Sequence, residues 1–245
     1  MDSETDDEFD IKAYSRRRNI TSVSSILKDV IQKCEKTKPQ KINVIALANQ
    51  HQGNHRRLYE LFNILTYFGV TKTVGRGKLC WVGFSSMHSH LEKTYMTIEE
   101  RGLTESINDI FVFKEVPSLG QVAELFLSLF PFLGVTTLDI KIVTQIFSMK
   151  IPDKKSCERK IYLALSLLET IGCIEHHPRS GNYKILLDIK KLLEKSQKHI
   201  FSLESKNPYS IANLLNRSYA TYMSAQHYER QRDFQLLANS YNAIS

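Results

Sequence analysis

What this chain lacks narrows its chemistry before any motif is considered. Only 4 of its 245 residues are cysteine. Cys34, Cys80, Cys157 and Cys173 stand singly, with no Cys-x-x-Cys pair and no zinc-like Cys/His spacing. That pattern gives no sign of a disulfide framework or a zinc module, and it reads as small core residues in reduced surroundings. No run approaches the ~20 apolar residues of a membrane span. The first ten residues are acidic rather than a basic segment followed by an apolar one, so a secretory leader is not expected either. Paired carboxylates, a Ser/His/Asp set and a Cys/His couple are all missing from any recognisable context. The sequence therefore predicts a globular protein of the cytosol or nucleus, with no catalytic residue, cofactor, metal or membrane partner.

Two further absences dispose of tempting motifs. Gly75-Arg76-Gly77-Lys78 lacks the earlier glycine of a phosphate loop and no Ser or Thr follows Lys78, so it reads as a turn. His88 with His90, and His176 with His177, have no third ligand at useful spacing and are expected to be exposed loop histidines.

What is present is a repeated unit. Residues 56–82 run Arg-Arg-Leu-Tyr-Glu-Leu-Phe-Asn-Ile-Leu-Thr-Tyr-Phe-Gly-Val and on into a β-prone stretch, and residues 159–185 repeat the plan from Arg-Lys-Ile-Tyr to Ile171-Gly172-Cys173. A helix, a glycine and a hairpin occurring twice imply two copies of one small domain. The spacing between copies grows from 96 residues at helix one (Ser22 to Ser118) to 103 at helix three (Arg56 to Arg159), so seven extra residues are expected near Ile151 to Ser156.

In the first copy, Val23, Ile26, Leu27, Val30, Ile31 and Cys34 have helical spacing after Ser22, a suitable N-cap. A short second helix carries Val44, Ile45, Leu47 and Ala48. The third begins near His55 and buries Leu58, Phe62 and Leu65, with Leu61 and Ile64 beside them, which leaves Arg56, Arg57 and Asn63 on the other side. Gly69 closes it. Two β-prone runs, Val70 to Val74 and Leu79 to Val82, then flank a tip holding Arg76 and Lys78. In the second copy the helices are expected from Ser118, over Leu138 to Phe147, and from about Glu158 to Ile171, with a hairpin turning at Arg179 to Asn182. Three helices followed by a hairpin make a winged helix.

The predicted fold class is therefore α+β, mainly helical, with tandem winged-helix domains. The expected organisation is a disordered arm over 1–18, a first domain over 19–84, a connector over 85–116, a second domain over 117–190 and a helical C-terminal tail over 191–245. Leu192 and Leu193 extend a helix for about two turns, too short for a dimerisation zipper. The tail stretch Ile211, Leu214, Leu215, Tyr219 and Tyr222 is expected to pack back on the domains or to dock a partner.

Charge separates the copies. Residues 11–84 hold 14 bases against 3 acids, whereas residues 117–190 hold 9 against 7. The copies differ most in the property that attracts phosphate.

Arg56-Arg57-Leu58-Tyr59, followed by Asn63, Leu65, Gly69 and a hairpin strand bearing Trp81, resembles the E-two-F and dimerisation-partner family of cell-cycle transcription factors, in which an Arg-Arg-x-Tyr-Asp segment opens the recognition helix. Ile42-Asn43-Val44 and Ala46-Leu47-Ala48 sit where that family's second helix would be. Ser118-Leu119-Gly120 and Leu138-Asp139-Ile140-Lys141 resemble the matching starts in the second copy. The resemblance spans roughly residues 20–84 and 117–188, and two domains without a dimerisation region look like the atypical double-domain branch. It implies a nuclear protein that binds G·C-containing duplex DNA, with Arg56 and Arg57 on guanine edges. A guanidinium can reach guanine O6 and N7 together.

Asn54 and His55 lie at the same helix start. Lys72, Arg76 and Lys78 would contact phosphates, and Arg16, Arg17 and Arg18 could reach a flanking groove. The second copy departs from the motif, with Arg159 kept but Lys160, Leu163 and Ser166 replacing Arg, Asp and Asn. Lysine lacks the planar fork of arginine, which leaves phosphate contact or protein binding for that domain. Tyr59 and Tyr162 are expected in the core or as hydroxyl anchors that orient the helix, and Trp81 in the core beneath the hairpin. Two cations at a helix N-terminus oppose the macrodipole and call for a compensating anion. The functional expectation is a monomeric transcription regulator whose two domains pair within one chain. The alternative is a winged-helix adaptor in a nuclear complex, meeting a protein partner through the second domain or the tail.

Overall fold

A computed structural model of the chain describes residues 23–50, 54–177, 181–205 and 219–242. The chain divides into two compact units, with the boundary between His90 and Leu91. Both are mainly helical, and each holds one small antiparallel sheet of three strands. Among the described residues no helix is long and apolar enough to cross a membrane.

The first unit opens with α1 (Val23–Thr37), whose Leu27, Val30, Ile31 and Cys34 are buried in the spacing the sequence predicts. Ser22 lies outside the described residues. A strand of two residues, β1 (Ile42–Asn43), leads directly into α2 (Val44–Gln50), and α3 (His55–Tyr67) follows. Leu58, Leu61, Phe62, Ile64 and Leu65 of α3 are buried. Each such side chain removed from water contributes about 1.5–3 kcal/mol. Past Phe68, Gly69 adopts φ +73°, so that Gly69 N–H reaches Thr66 O and Val70 N–H reaches Leu65 O. This left-handed closure ends the helix and turns the chain into the hairpin.

The hairpin consists of β2 (Thr71–Gly75) and β3 (Lys78–Trp81). Thr71 faces Trp81, Lys72 faces Cys80 and Thr73 faces Leu79, with a bulge before Gly75 meets Lys78. The third strand went unpredicted. β1 pairs antiparallel with β3, placing Ile42 beside Leu79, so the sheet order is β1-β3-β2. Two residues are too short to show alternation, and their strand character comes from the hairpin edge beside them. Trp81 is buried as expected and donates from Nε1 to Glu35 at 2.6 Å, tying the hairpin to α1.

Residues 85–116, expected as a connector, hold two helices, α4 (Ser85–Arg101) and α5 (Ile107–Phe111). His88 and His90 therefore lie on a helix rather than in a loop. His90 packs edge-on against Tyr67 and Phe68, each at 5.5 Å.

The second unit repeats the first unit's plan. After α6 (Leu119–Leu133) come β4 (Thr137–Asp139), α7 (Ile140–Ser148), α8 (Lys154–Ile171), β5 (Ile174–His177) and β6 (Asn182–Ile185), and its sheet order is β4-β6-β5. Ser118 caps α6 in a reciprocal capping box with Gln121. Gly172 at φ +86° closes α8 as Gly69 closes α3. Helix α8 starts at Lys154, about one turn earlier than predicted, because Asp153 accepts from Ser156 N–H and caps the inserted residues. Arg179 and Ser180 of the predicted turn lie outside the described residues. His176 and His177 are strand residues, and His176 stacks on Tyr183 at 4.6 Å.

Two further helices complete this unit, α9 (Ile189–Ser205) and α10 (Tyr219–Asn242). Helix α9 runs well past the two turns expected of it. Of the tail stretch, Ile211, Leu214 and Leu215 lie outside the described residues. Helix α10 packs on α5, α6 and α7. It carries Arg230, which forms a buried ion pair with Glu99, the two side chains being 7% and 0% exposed. Arg230 donates from Nη1 and Nη2 to the two carboxylate oxygens and lies 3.9 Å over the Phe132 ring. Tyr95 O–H donates to the same carboxylate at 2.5 Å.

Candidate nucleic-acid interface

The outer face of α3 follows from its inner one. With five apolar residues turned inward, His55, Arg56, Arg57, Tyr59 and Asn63 are left exposed. Asn54 is the N-cap residue, half-buried, with no cap hydrogen bond from its side chain. Tyr59 thus lies outside the core, one of the two placements expected for it, since it stands three residues after Arg56 on the same outward side.

Arg56 and Arg57 share one acceptor. Arg56 Nε donates to Glu60 Oε1 at 2.9 Å, and Arg57 Nη1 donates to the other oxygen of the same carboxylate. Glu60 is the anion that two cations in a first helical turn require. It comes from the helix itself, so the cations alone do not demand an outside phosphate. The exposures differ sharply, at 86% for Arg56, 44% for Arg57 and 11% for Glu60. A nearly buried carboxylate thus holds two outward guanidinium groups by one edge each. Since Arg56 uses Nε, both of its terminal nitrogens remain for a further acceptor.

Beside this face stands the hairpin. Lys72 on β2, Arg76 in the turn and Lys78 at the start of β3 are all exposed. An open groove of about 450 Å³ separates the hairpin from α3, walled by Tyr59, Asn63 and Thr66 on one side and by Thr73, Gly77 and Lys78 on the other. Of these basic residues Lys78 lines the groove itself. Arg16, Arg17 and Arg18 lie outside the described residues.

The second unit presents a different face. Arg159, Tyr162, Ser166 and Glu169 are exposed on α8, matching Arg56, Tyr59, Asn63 and Thr66 by the constant offset. Tyr162, like Tyr59, is exposed rather than in the core. Lys160 is half-buried and donates from Nζ to Pro117 O at 2.9 Å, so part of its hydrogen-bonding capacity is turned back into the unit. Leu163 cannot act as Glu60 does. Lys154 and Lys155, not singled out from the sequence, begin α8; Asp153 just before them is the signal that would have marked this start.

Elsewhere the chemistry is muted. Burial pushes the Cys34 and Cys173 thiols up to about 12, which leaves them protonated and unreactive at neutral pH. Among the described residues no group of three or more His, Cys, Asp or Glu is arranged to hold a metal ion.

Comparisons with protein-family models, curated proteins and solved structures return no match to this chain.

Proposed function

We propose that each unit is a winged helix and that the chain is a nuclear, DNA-binding transcription regulator. The first unit reads G·C-containing duplex DNA by laying α3 in the major groove. Arg56 carries this reading, since it is the most outward base of the helix and is held at one edge by Glu60 while its terminal nitrogens face solvent. That posture suits a bidentate contact with guanine, worth about 1–3 kcal/mol of discrimination against the wrong base. The bond to Glu60 engages only Nε, so it does not hold the terminal nitrogens of Arg56 away from DNA.

Lys72, Arg76 and Lys78 of the hairpin supply phosphate contacts, which position the helix without carrying sequence information. In the second unit Arg159, Lys154 and Lys155 add backbone attraction, and one chain does with two domains what a dimer does with two subunits. Selection of binding sites from a randomised duplex pool by the full chain tests the reading. Recovery of a G·C core supports it, and recovery of no sequence sinks it.

An adaptor role has one specific observation in its favour. Leu163, Ser166 and Glu169 give α8 an outer face with little for a base edge and an acid where a phosphate would pass. On that reading the second unit meets a protein, DNA binding is weak, and the same selection returns an unenriched pool.

A further inference from the structure

We propose that Asn63 is a second base-reading residue and that it selects an adenine about three base pairs from the guanine read by Arg56. The inference rests on the reading above, that α3 enters the major groove. Seven residues separate Arg56 and Asn63, which at 3.6 residues per turn places them within ~20° of the same meridian of the helix. They are about 10 Å apart along its axis at ~1.5 Å per residue. Successive base pairs rise ~3.4 Å, so that distance spans about three of them.

Both side chains are exposed, and Tyr59 stands between them on the same outward side. Asn63 is an odd choice for this place on any other ground. Helix interiors disfavour asparagine, whose short amide competes for the backbone, and the side chain contributes nothing to the core. Among the described residues it makes no hydrogen bond within the protein.

A carboxamide on a recognition face has one well-matched target. Its oxygen accepts from adenine N6–H and its nitrogen donates to adenine N7, a pair of bonds that no other base edge in the major groove accommodates. Arg56 and Asn63 would then specify a G·C pair and an A·T pair at fixed spacing. Asn63 also lines the groove toward the hairpin, as Thr73 and Lys78 do. The second unit lacks the device, because Ser166 at the matching position cannot make the paired contact.

The test is competition binding of the full chain against duplexes in which each position flanking the G·C core is varied in turn, for wild type, Asn63→Ala and Arg56→Ala with Arg57→Ala. Circular dichroism melting confirms that each variant folds, as expected for exposed positions. Wild type should favour A·T at one position about three base pairs from the core by roughly 5- to 150-fold, the equivalent of about 1–3 kcal/mol. Asn63→Ala should erase that preference and leave the core preference intact. An Asn63→Ala variant that weakens all duplexes equally would make the residue a phosphate contact and overturn the proposal, as would one that changes nothing. If wild type shows no preference at any position and the double arginine variant binds as it does, the underlying reading of α3 falls as well, an outcome distinct from the failure of Asn63 alone.

Discussion

Arg56 donates from Nε to Glu60 Oε1 at 2.9 Å, a contact one helical turn long between an outward guanidinium and an inward carboxylate. Glu60 also takes Arg57, so one buried acid fixes the posture of two basic groups. Preorganisation of this kind lowers the entropy lost when a long side chain meets its target.

Glu60→Gln keeps the shape of the side chain and removes its charge. Discrimination between a G·C-core duplex and a scrambled one should fall about tenfold, or ~1.4 kcal/mol, within the range of a single bidentate contact. Binding to the scrambled duplex should hold or tighten, because the face gains net positive charge. Equal loss on both duplexes would show that Glu60 only supports the helix.

The second copy can be re-equipped. Lys160→Arg with Leu163→Glu restores the arginine fork and its holder on α8, and the double variant should gain affinity for a duplex carrying two cores over one carrying a single core. The ratio of the two dissociation constants reads the effect, and no change from wild type would mean that α8 does not meet DNA.

Arg230 and Glu99 predict a stability effect in the second unit. Removing one partner of a buried pair leaves the other charge uncompensated, at a cost of about 3–5 kcal/mol. Arg230→Met should therefore lower the urea midpoint sharply by circular dichroism, and adding Glu99→Gln should recover part of the loss. A shift under about 1 kcal/mol would mean that the pair is solvated in solution.

His227 on α10 should make that unit sensitive to acid. Burial, and then the charge of Arg230, hold its imidazole below the ordinary value of 6.5, while Glu99 opposes the shift. Its Nε2 is buried without a partner among the described residues. The unfolded chain takes up a proton that the folded one resists, so stability is full above about pH 6.5 and declines as pH falls toward the folded value. Denaturation at pH 7.5 and 5.5 should show this decline in wild type and a smaller one in His227→Gln. Identical declines would remove His227 as its source. Gly134→Ala should disturb the same site at any pH, since its φ is +66° and a Cβ there would run into the His227 ring at Nδ1.

Legibility in the sequence followed the strength of local signals. The inward stripe of α3, the closing glycines and the hairpin about Arg76-Gly77 were readable because periodicity and turn chemistry act over a few residues. Strands β1 and β4 were not, since a two- or three-residue strand exists only by pairing with a hairpin distant in sequence. The Glu99–Arg230 pair was out of reach for the same reason, joining positions 131 residues apart. Residues 119–133 are apolar nearly all round, and a helix of that kind must be covered on more than one side; α8 and α10 both pack on it. At the candidate interface the two arginines are legible, and Glu60 stands four and three residues after them, the spacing that marks a shared acceptor on a helix. A core place for Tyr59 and Tyr162 fails: an aromatic beside an apolar stripe is ordinarily core, while here the stripe is complete without them.

The most direct measurement is fluorescence anisotropy of the full chain with a G·C-core duplex and a scrambled duplex at two salt concentrations, for wild type and for Arg56→Ala with Arg57→Ala. Wild type should prefer the cored duplex at both salts, and the double variant should bind the two duplexes alike with a shallower salt dependence, having lost two cations. Equal and steeply salt-dependent binding to both duplexes by wild type, unchanged by the substitutions, would contradict base reading by α3 and leave phosphate attraction alone.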